Sequence, residues 1–409
     1  MSNEVNHRMD KYSTPRNKKH IARYLLLFVL FIVIVSAILG AVYLHTVQKS
    51  VNRSYSATGL HSEGSVSNLI QKKKPISFLV LGTDVGTEGG FGTDRNRVGL
   101  TDSMMVVTIN PKSKTTTLIS VPRDIMTSIS GFETSFPQKL NAAYAFKEAS
   151  DNKASLGDGV STAIVTLQKM FNFPINYYAM VNMSGLGDVV DQLGGVSVKS
   201  PLTFAFSQET AHATGKDLYQ FQQDSTNFKY ASDGQNFQSF SKMNGKAALA
   251  FSRMRYQDPL GDYGRTQRQR ILLNAIIKKV KGDPSKILNL KFINATTKNI
   301  ASDLTAQDML ALGSNYMSAS KNIVSYTVQG EGEMYDGVSF QRVTTAQRQA
   351  ITNKVRANLG LSPADTGSEF GSNISSEQLL QVNTADNLYP EDNTDSNLTL
   401  KSEDGNYSQ

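Results

Sequence analysis

Residues 76–84 read ISFLVLGTD, and the six from Ile76 to Leu81 form a nearly unbroken apolar run closed by Gly82. A run this short, partly β-branched and stopped by glycine, reads as a strand buried on both faces. Met104–Ile109 and Thr115–Val121 repeat the pattern, joined through Asn110-Pro-Lys-Ser-Lys114, a hairpin-type connection. Further along, Ser161–Phe171 and Gly185–Leu193 carry helical apolar spacing around a strand at Tyr177–Val181. Asn244–Phe251, Leu304–Tyr316 and Thr344–Asn358 also read as helices, and Ile323–Val328 as a strand. Between them Phe204–Phe240 is polar and aromatic with weak periodicity, and is placed as a long excursion. Buried strands alternating with helices predict an α/β fold, a three-layer α-β-α domain over residues 75–358.

Upstream, Tyr24–Leu44 holds no charged side chain over 21 positions. At 1.5 Å per residue that length crosses a hydrocarbon core of about 30 Å, so residues 24–44 read as a transmembrane helix. The leader 1–23 carries Arg8, Lys11, Arg16, Lys18, Lys19 and Arg23 against Glu4 and Asp10. The positive-inside rule then keeps the N-terminus cytoplasmic and sends the folded domain outside the cell membrane. The long apolar run and the lack of an A-x-A site favour an uncleaved anchor over a signal peptide. Residues 45–74, rich in Ser, Asn and Gly and ending in Lys72-Lys-Lys74, read as a juxtamembrane stalk reaching toward lipid head groups. The tail 359–409 is acidic and nearly without aromatics, the composition of a disordered segment.

The chain of 409 residues contains no cysteine, which excludes disulfides, thiolate metal sites and cysteine nucleophiles. Of its five histidines only His212 falls inside the predicted domain, which argues against a Ser-His-Asp triad or a histidine-rich zinc site. Any metal would be held by oxygen, hence Mg²⁺ or Mn²⁺. The net charge of +7 conceals a split: the tail after Asn358 has nine acidic residues against Lys401, leaving +15 on the rest. A body this basic suits an anionic partner.

The densest charge lies in Phe251–Arg270, FSRMRYQDPLGDYGRTQRQR, where Arg253, Arg255, Arg265, Arg268 and Arg270 surround Asp258 and Asp262. From Gly264 onward Leu272, Ile276 and Val280 mark the inward face of a helix, and Arg265, Arg268 and Gln269 share that face while Arg270 points away. Guanidinium groups turned inward at a helix start either pair with Asp258 and Asp262 or clamp an anion such as pyrophosphate. Upstream, Asp84 and Asp102 flank a glycine-rich loop beside strand ends and can converge on one hard cation, or simply cap turns. That loop is neither a P-loop nor a dinucleotide fingerprint. Val121-Pro-Arg-Asp124 ends a strand, with Pro122 fixing the direction of Arg123, and Lys139 opens a helical pattern that offers a further cation.

Taken in order, Thr83-Asp84, TDSMMVVTINPKSK (101–114), SVPRD (120–124), KLNAAYAF (139–146) and the stretch from Met243 to Arg270 resemble the LytR-CpsA-Psr family of cell-wall ligases. The resemblance spans roughly Pro75 to Val280. It implies transfer of a teichoic-acid-like or capsular glycopolymer from a polyprenyl pyrophosphate carrier onto peptidoglycan in Gram-positive bacteria. It further implies that Asp84 and Asp102 bind Mg²⁺, that Arg123 is the catalytic arginine, and that Lys139, Arg253, Arg255, Asp262, Arg265, Arg268 and Gln269 surround the pyrophosphate. One departure stands out: Leu100 precedes Thr101-Asp102 where many members carry arginine, and Arg95 and Arg97 are the nearby candidates to replace it. A general base for the acceptor hydroxyl would be a carboxylate, with Asp84, Asp124 and Asp262 all eligible. Apolar stripes on the helices 161–171 and 185–193 could line a lipid tunnel or simply form core.

Two rival functions use the same features. A regulator that binds nucleic acid would exploit the basic body, but about twenty cytoplasmic residues are too few to fold, no nucleic-acid-binding motif is present, and no nucleic-acid partner is expected. A non-catalytic binder of lipid-linked wall precursors would employ the same arginines, and turnover of a lipid-linked substrate separates it from a ligase.

Overall fold

The computed structural model describes residues 36, 38–52, 54–60, 67–83, 100–151, 153–283 and 289–371. The chain divides into two compact units at Gln48/Lys49. In the first, residues 38–48 are helical and Ile38, Leu39, Val42 and Leu44 are exposed. Most of the predicted span 24–44, and all of the basic leader, lies outside the described residues. Among the described residues no helix is long and apolar enough to cross a membrane.

The second unit is built on a six-stranded sheet. Its strands are β1 (Ile76–Thr83), β2 (Thr101–Asn110), β3 (Thr115–Val121), β6 (Tyr177–Asn182), β11 (Ile300–Ser302) and β12 (Asn322–Thr327). The spatial order is β11-β6-β1-β2-β3-β12. β1 pairs parallel with β6, and β3 with β12, while β2 runs antiparallel between β1 and β3. β1, β3, β6 and β12 therefore end at one rim of the sheet. The apolar run that began the sequence reading is buried on both faces, with alternate side chains in different layers. Leu79, Leu81, Val106 and Ile119 meet the helices Ala143–Ser150 and Leu156–Phe171 and the C-terminal helix Thr345–Leu359. Ile76, Phe78, Val107 and Leu118 meet Leu304, Tyr316 and Leu273 on the other side. This is the expected layering, within a mixed rather than purely parallel sheet.

Two sequence expectations change. The excursion Phe204–Phe240 is a four-stranded antiparallel sheet, β7 (Phe204–Ser207), β8 (Leu218–Phe221), β9 (Phe228–Ala231) and β10 (Gln238–Phe240). Its strands are three or four residues long, too short for periodicity to register, and they are held by stacked aromatics such as Phe204–Phe221 at 4.7 Å and Phe221–Phe228 at 5.6 Å. The domain also does not stop at Asn358. Residues 360–371 run back over the fold: Ser128 N donates to Phe370 O at 2.7 Å, Ser368 N to Lys169 O at 3.1 Å, and the Phe370 ring lies 5.1 Å from Phe136. Two short hairpins complete the unit, β4 (Met126–Thr127) with β5 (Gln138–Lys139) and β13 (Glu331–Tyr335) with β14 (Val338–Arg342).

Local sequence explains where the helices start. Ser155 and Asp158 form a capping box at the helix Leu156–Phe171, and Thr305 with Asp308 and Thr344 with Gln347 do the same for two later helices. Beyond the end of β11, Asp303 accepts a hydrogen bond from Tyr178 N at 2.9 Å. Burial, with a contribution from the Asp308 charge, pushes its carboxyl up to about 7. A carboxyl raised from about 4 in the unfolded chain holds its proton in the fold, so its stabilisation is complete at low pH and is lost as pH rises toward 7. Asp303→Asn keeps the hydrogen-bond acceptor and removes the titration. Thermal unfolding at about pH 5 and about pH 8 should therefore show a smaller drop in Tm for the variant than for the parent; equal drops would show that Asp303 does not titrate in this range.

Candidate functional site

The charged residues singled out from sequence converge at the rim where β1 and β3 end and β2 begins. β3 delivers Arg123 through Pro122, and the Arg123 guanidinium is 2.7 Å from Asp102 Oδ1 at the start of β2. Its Nε is 3.5 Å from Asp124 and 3.9 Å from Asp262. Lys139, in β5, reaches Asp124 Oδ1 at 3.4 Å. The helix Gly261–Gly282 enters the same rim and presents Asp262, Arg265 and Gln269 along one stripe. Arg265 pairs with Asp262 and donates to Asp102 O at 3.2 Å. Gln269 Oε1 accepts from Ser103 Oγ at 2.7 Å, fastening the third turn of this helix to β2.

The electrostatics follow from burial. Desolvation opposes the Arg123 charge, but Asp124, Asp262 and Asp102 outweigh it and hold the guanidinium above the usual arginine range. Burial raises the Asp262 carboxyl in spite of Arg265 and Arg123 beside it. Burial lowers Arg265, and the neighbouring Arg123 and Arg255 oppose the help it receives from Asp262. Arg255 is 9% exposed and lies near enough for its field to act on both Asp262 and Arg265. Among the described residues Arg123, Lys139, Arg255 and Arg265 thus face Asp102, Asp124 and Asp262, an excess of positive charge. The Nε–H groups of Arg123 and Arg265 are buried and have no hydrogen-bond acceptor among the described residues. Two buried donors without acceptors, in a cluster of cations, are arranged to receive an anion.

Not every predicted residue joins this cluster. Asp84, Arg95 and Arg97 lie outside the described residues. Arg253 is exposed at the last turn of the helix Gly245–Arg253, with no ion pair among the described residues. Arg268 requires a correction. Helical phasing places it on the inward face, but its side chain is fully buried and wholly engaged within the protein. It pairs with Asp258, donates through Nε to Phe251 O at 3.0 Å and through Nη2 to Met254 O, and its guanidinium lies 5.3 Å above the Phe204 ring. The pairing with Asp258, one of the two alternatives open in the sequence, is what forms. Arg268 joins this helix to the four-stranded sheet rather than to a ligand. Gly264 makes the arrangement possible, because a Cβ there would fall 1.9 Å from the Asp258 carboxylate. Arg270, assigned to the outward face, donates to Tyr326 O at 2.9 Å and to Thr327 Oγ1, tying the helix to β12.

Sequence reasoning also missed two residues that hold the cluster together. Gln341 in β14 donates its backbone N–H to Asp124 O at 2.8 Å, and its Oε1 accepts from the Tyr263 hydroxyl at 3.0 Å. Tyr263 in turn accepts from Gly330 N at 3.0 Å. The β13–β14 hairpin therefore braces the turn carrying Arg123 and Asp124 against the helix carrying Asp262 and Arg265. Tyr263 was legible as a neighbour of Asp262; Gln341 carries no local signal. Two outcomes are expected. Arg268→Met leaves Asp258 buried without its partner and should cost about 3–5 kcal/mol in urea unfolding; wild-type stability would return Arg268 to the ligand side. Tyr263→Phe should cost about 1 kcal/mol, and the same loss in a Gln341→Met background would show that the two side chains are not coupled.

The LytR_cpsA_psr family model matches residues 41–357. The chain is 34% identical to the polyisoprenyl-teichoic acid–peptidoglycan teichoic acid transferase TagU of Enterococcus faecalis, over 82% of this chain and 95% of that protein. Among solved structures, protein gbs0355 from Streptococcus agalactiae superposes with a TM-score of 0.59 at 28% identity, covering 77% of this chain and 97% of that one. TagV from B. subtilis superposes with a TM-score of 0.52 at 27% identity, covering 71% and 99%. With an ordered set of motifs, a matching mixed α/β fold and a family match across most of its length, this chain belongs to the LytR-CpsA-Psr family.

Proposed function

We propose that this protein is a membrane-anchored phosphotransferase that moves a teichoic-acid-like or capsular glycopolymer from a polyprenyl pyrophosphate carrier onto peptidoglycan. The observation that carries the reading is the pair of buried guanidinium Nε donors on Arg123 and Arg265, which have no acceptor among the described residues of a cation-rich cluster. Attack of the acceptor hydroxyl on the sugar-linked phosphorus breaks the P–O–P bond of the carrier and releases polyprenyl phosphate, developing negative charge on the leaving oxygen, and fixed bidentate donors stabilise that charge without reorganisation. Arg123 is the central catalytic group, with Lys139, Arg255, Arg265 and Gln269 around the pyrophosphate and Arg253, Arg95 and Arg97 as peripheral cations. Burial raises the proton affinity of Asp262, which favours it as general base; Asp124 and Asp84 are the alternatives. The relative from Enterococcus faecalis is named for this same class of transfer.

A hard divalent cation, Mg²⁺ or Mn²⁺, is part of the proposal, held by Asp102 and Asp84. Asp102 fits such a role: its carboxylate is 25% exposed, Arg123 engages Oδ1, and the second oxygen carries no hydrogen bond among the described residues. When bound, the cation neutralises charge on the pyrophosphate oxygens. The chain's own residues orient the donor and position the proton acceptor. The proposed topology has residues 1–23 in the cytoplasm, 24–44 across the membrane and the catalytic domain outside.

A transfer assay with a synthetic polyprenyl-pyrophosphate-linked glycan and peptidoglycan tests the reading. Arg123→Lys and Arg265→Lys keep the charge but lose the planar fork, so transfer should fall on the order of ten- to a hundredfold while donor binding falls less. Tight donor binding with no turnover by the parent protein would make it a binder of precursors. In parallel, calorimetric titration of Mg²⁺ should show weaker binding to Asp102→Asn; unchanged binding would remove Asp102 from the metal site.

A further inference from the structure

The rim opposite the arginine cluster is also cationic, but its cations are lysines. Lys72, Lys73 and Lys74 precede β1, Lys112 and Lys114 lie in the turn between β2 and β3, and Lys321 precedes β12, all six exposed. Their common placement follows from the topology, because β1, β3 and β12 begin at this rim and β2 ends there. Backbone contacts connect the three groups. The Tyr316 hydroxyl donates to Lys74 O at 2.5 Å, Tyr316 leads directly into the 3₁₀ turn Met317–Lys321, and Asn322 N donates to Lys114 O at 3.2 Å.

The display is rigid. Lys73 adopts φ 53° and closes the helix Ser67–Gln71, with Lys73 N donating to Ile70 O at 3.1 Å and Lys74 N to Leu69 O at 2.9 Å. In the second turn Asn110 Oδ1 accepts from Lys112 N at 2.9 Å and Ser113 N at 3.1 Å, and Lys114 has φ 57°. Among the described residues near this rim, Asp308 is 2% exposed and caps a helix, and Asp303 is partly buried and accepts from Tyr178 N. Residues 67–74 of the expected juxtamembrane stalk 45–74 thus form a hydrogen-bonded edge of the domain.

We infer that this lysine rim docks on an anionic phospholipid surface and orients the domain with its arginine cluster directed away from the bilayer. Lysine is a strongly hydrated point charge on a flexible stem and suits a diffuse layer of phosphates, whereas the opposite rim concentrates arginines for one bidentate anion. Lys72 follows the apolar run 24–44 by fewer than thirty residues, so a lipid surface is within reach of the rim. At about 3.3 Å per residue, the length of β1 separates the two rims by roughly 25 Å. The inference rests on the proposed anchoring and is independent of the transfer chemistry.

The absence of cysteine allows a single label at Ser113→Cys on the full chain, placed between Lys112 and Lys114. In nanodiscs carrying a headgroup quencher, fluorescence quenching should be at least roughly threefold greater with phosphatidylglycerol present than with phosphatidylcholine alone. It should return to the neutral-lipid level near 1 M salt, where the Debye length is about 3 Å. A variant with glutamine at all six lysine positions should behave as if on neutral lipid while retaining its transfer rate on detergent-dispersed donor. Equal quenching in the two lipids overturns the inference. A stronger response to soluble polyglycerol phosphate than to phosphatidylglycerol, at matched phosphate, also overturns it and makes the rim a polymer-binding surface. Failure of the chain to enter discs at all would instead refute the anchor, which separates the two outcomes.

Discussion

The site depends on one partly buried guanidinium, that of Arg123, held among Asp102, Asp124 and Asp262. Each carboxylate comes from a different part of the chain: the start of β2, the turn after β3 and the helix Gly261–Gly282. Removing a cation from water is costly, and these three negative charges repay it only when the sheet rim and the helix are brought together. The same contacts that make Arg123 tolerable therefore define the relative position of two layers. A balanced cluster would end there as a structural ion network. The additional charge of Lys139, Arg255 and Arg265, with two Nε–H groups that have no acceptor among the described residues, is what supports reading the cluster as an anion site.

Two arginines three residues apart on one helix show how packing separates roles that composition cannot. Arg265 and Arg268 both face inward, yet Arg265 opens onto the rim beside Asp102 while Arg268 is enclosed by Asp258, two backbone carbonyls and the Phe204 ring. Rotation by three residues along a helix shifts position by most of a turn and about 4.5 Å of rise. Here that step is the distance between a ligand-facing rim and the joint with the second sheet. Gly264 sits at the joint because the Asp258 carboxylate occupies the space a side chain would need.

The C-terminal third acts as a brace. β12 completes the sheet edge and receives Arg270, β14 supports Asp124 and Tyr263, and residues 360–371 bind β14 and the end of β4 through Arg342–Glu369 and Phe370. None of these contacts needs a strongly apolar pattern, which explains why the segment after Asn358 resembles a disordered tail by composition. The placement of residues 360–371 comes from hydrogen bonds to backbone and from the buried Phe370 ring, partners that only the folded domain presents.

Sequence by itself determined the apolar strands of the sheet, the helices with capping residues, the layered α/β class and most of the charged set at the rim. These depend on periodicity, on turn chemistry and on the spacing of residue types, all local properties of the chain. The resemblance carried by Val121-Pro-Arg-Asp124 and Gly264-Arg265 narrowed the chemistry further. Only tertiary structure decided that Arg268 is part of the interior, that Gln341 belongs to the support of the site, and that residues 204–240 form a sheet. Each of these is a contact between residues distant in sequence, such as Gln341 with Asp124 or Phe204 with Phe251. Strands of three or four residues and single polar bridges leave no period to read, so their outcome is set by what the rest of the fold places opposite them.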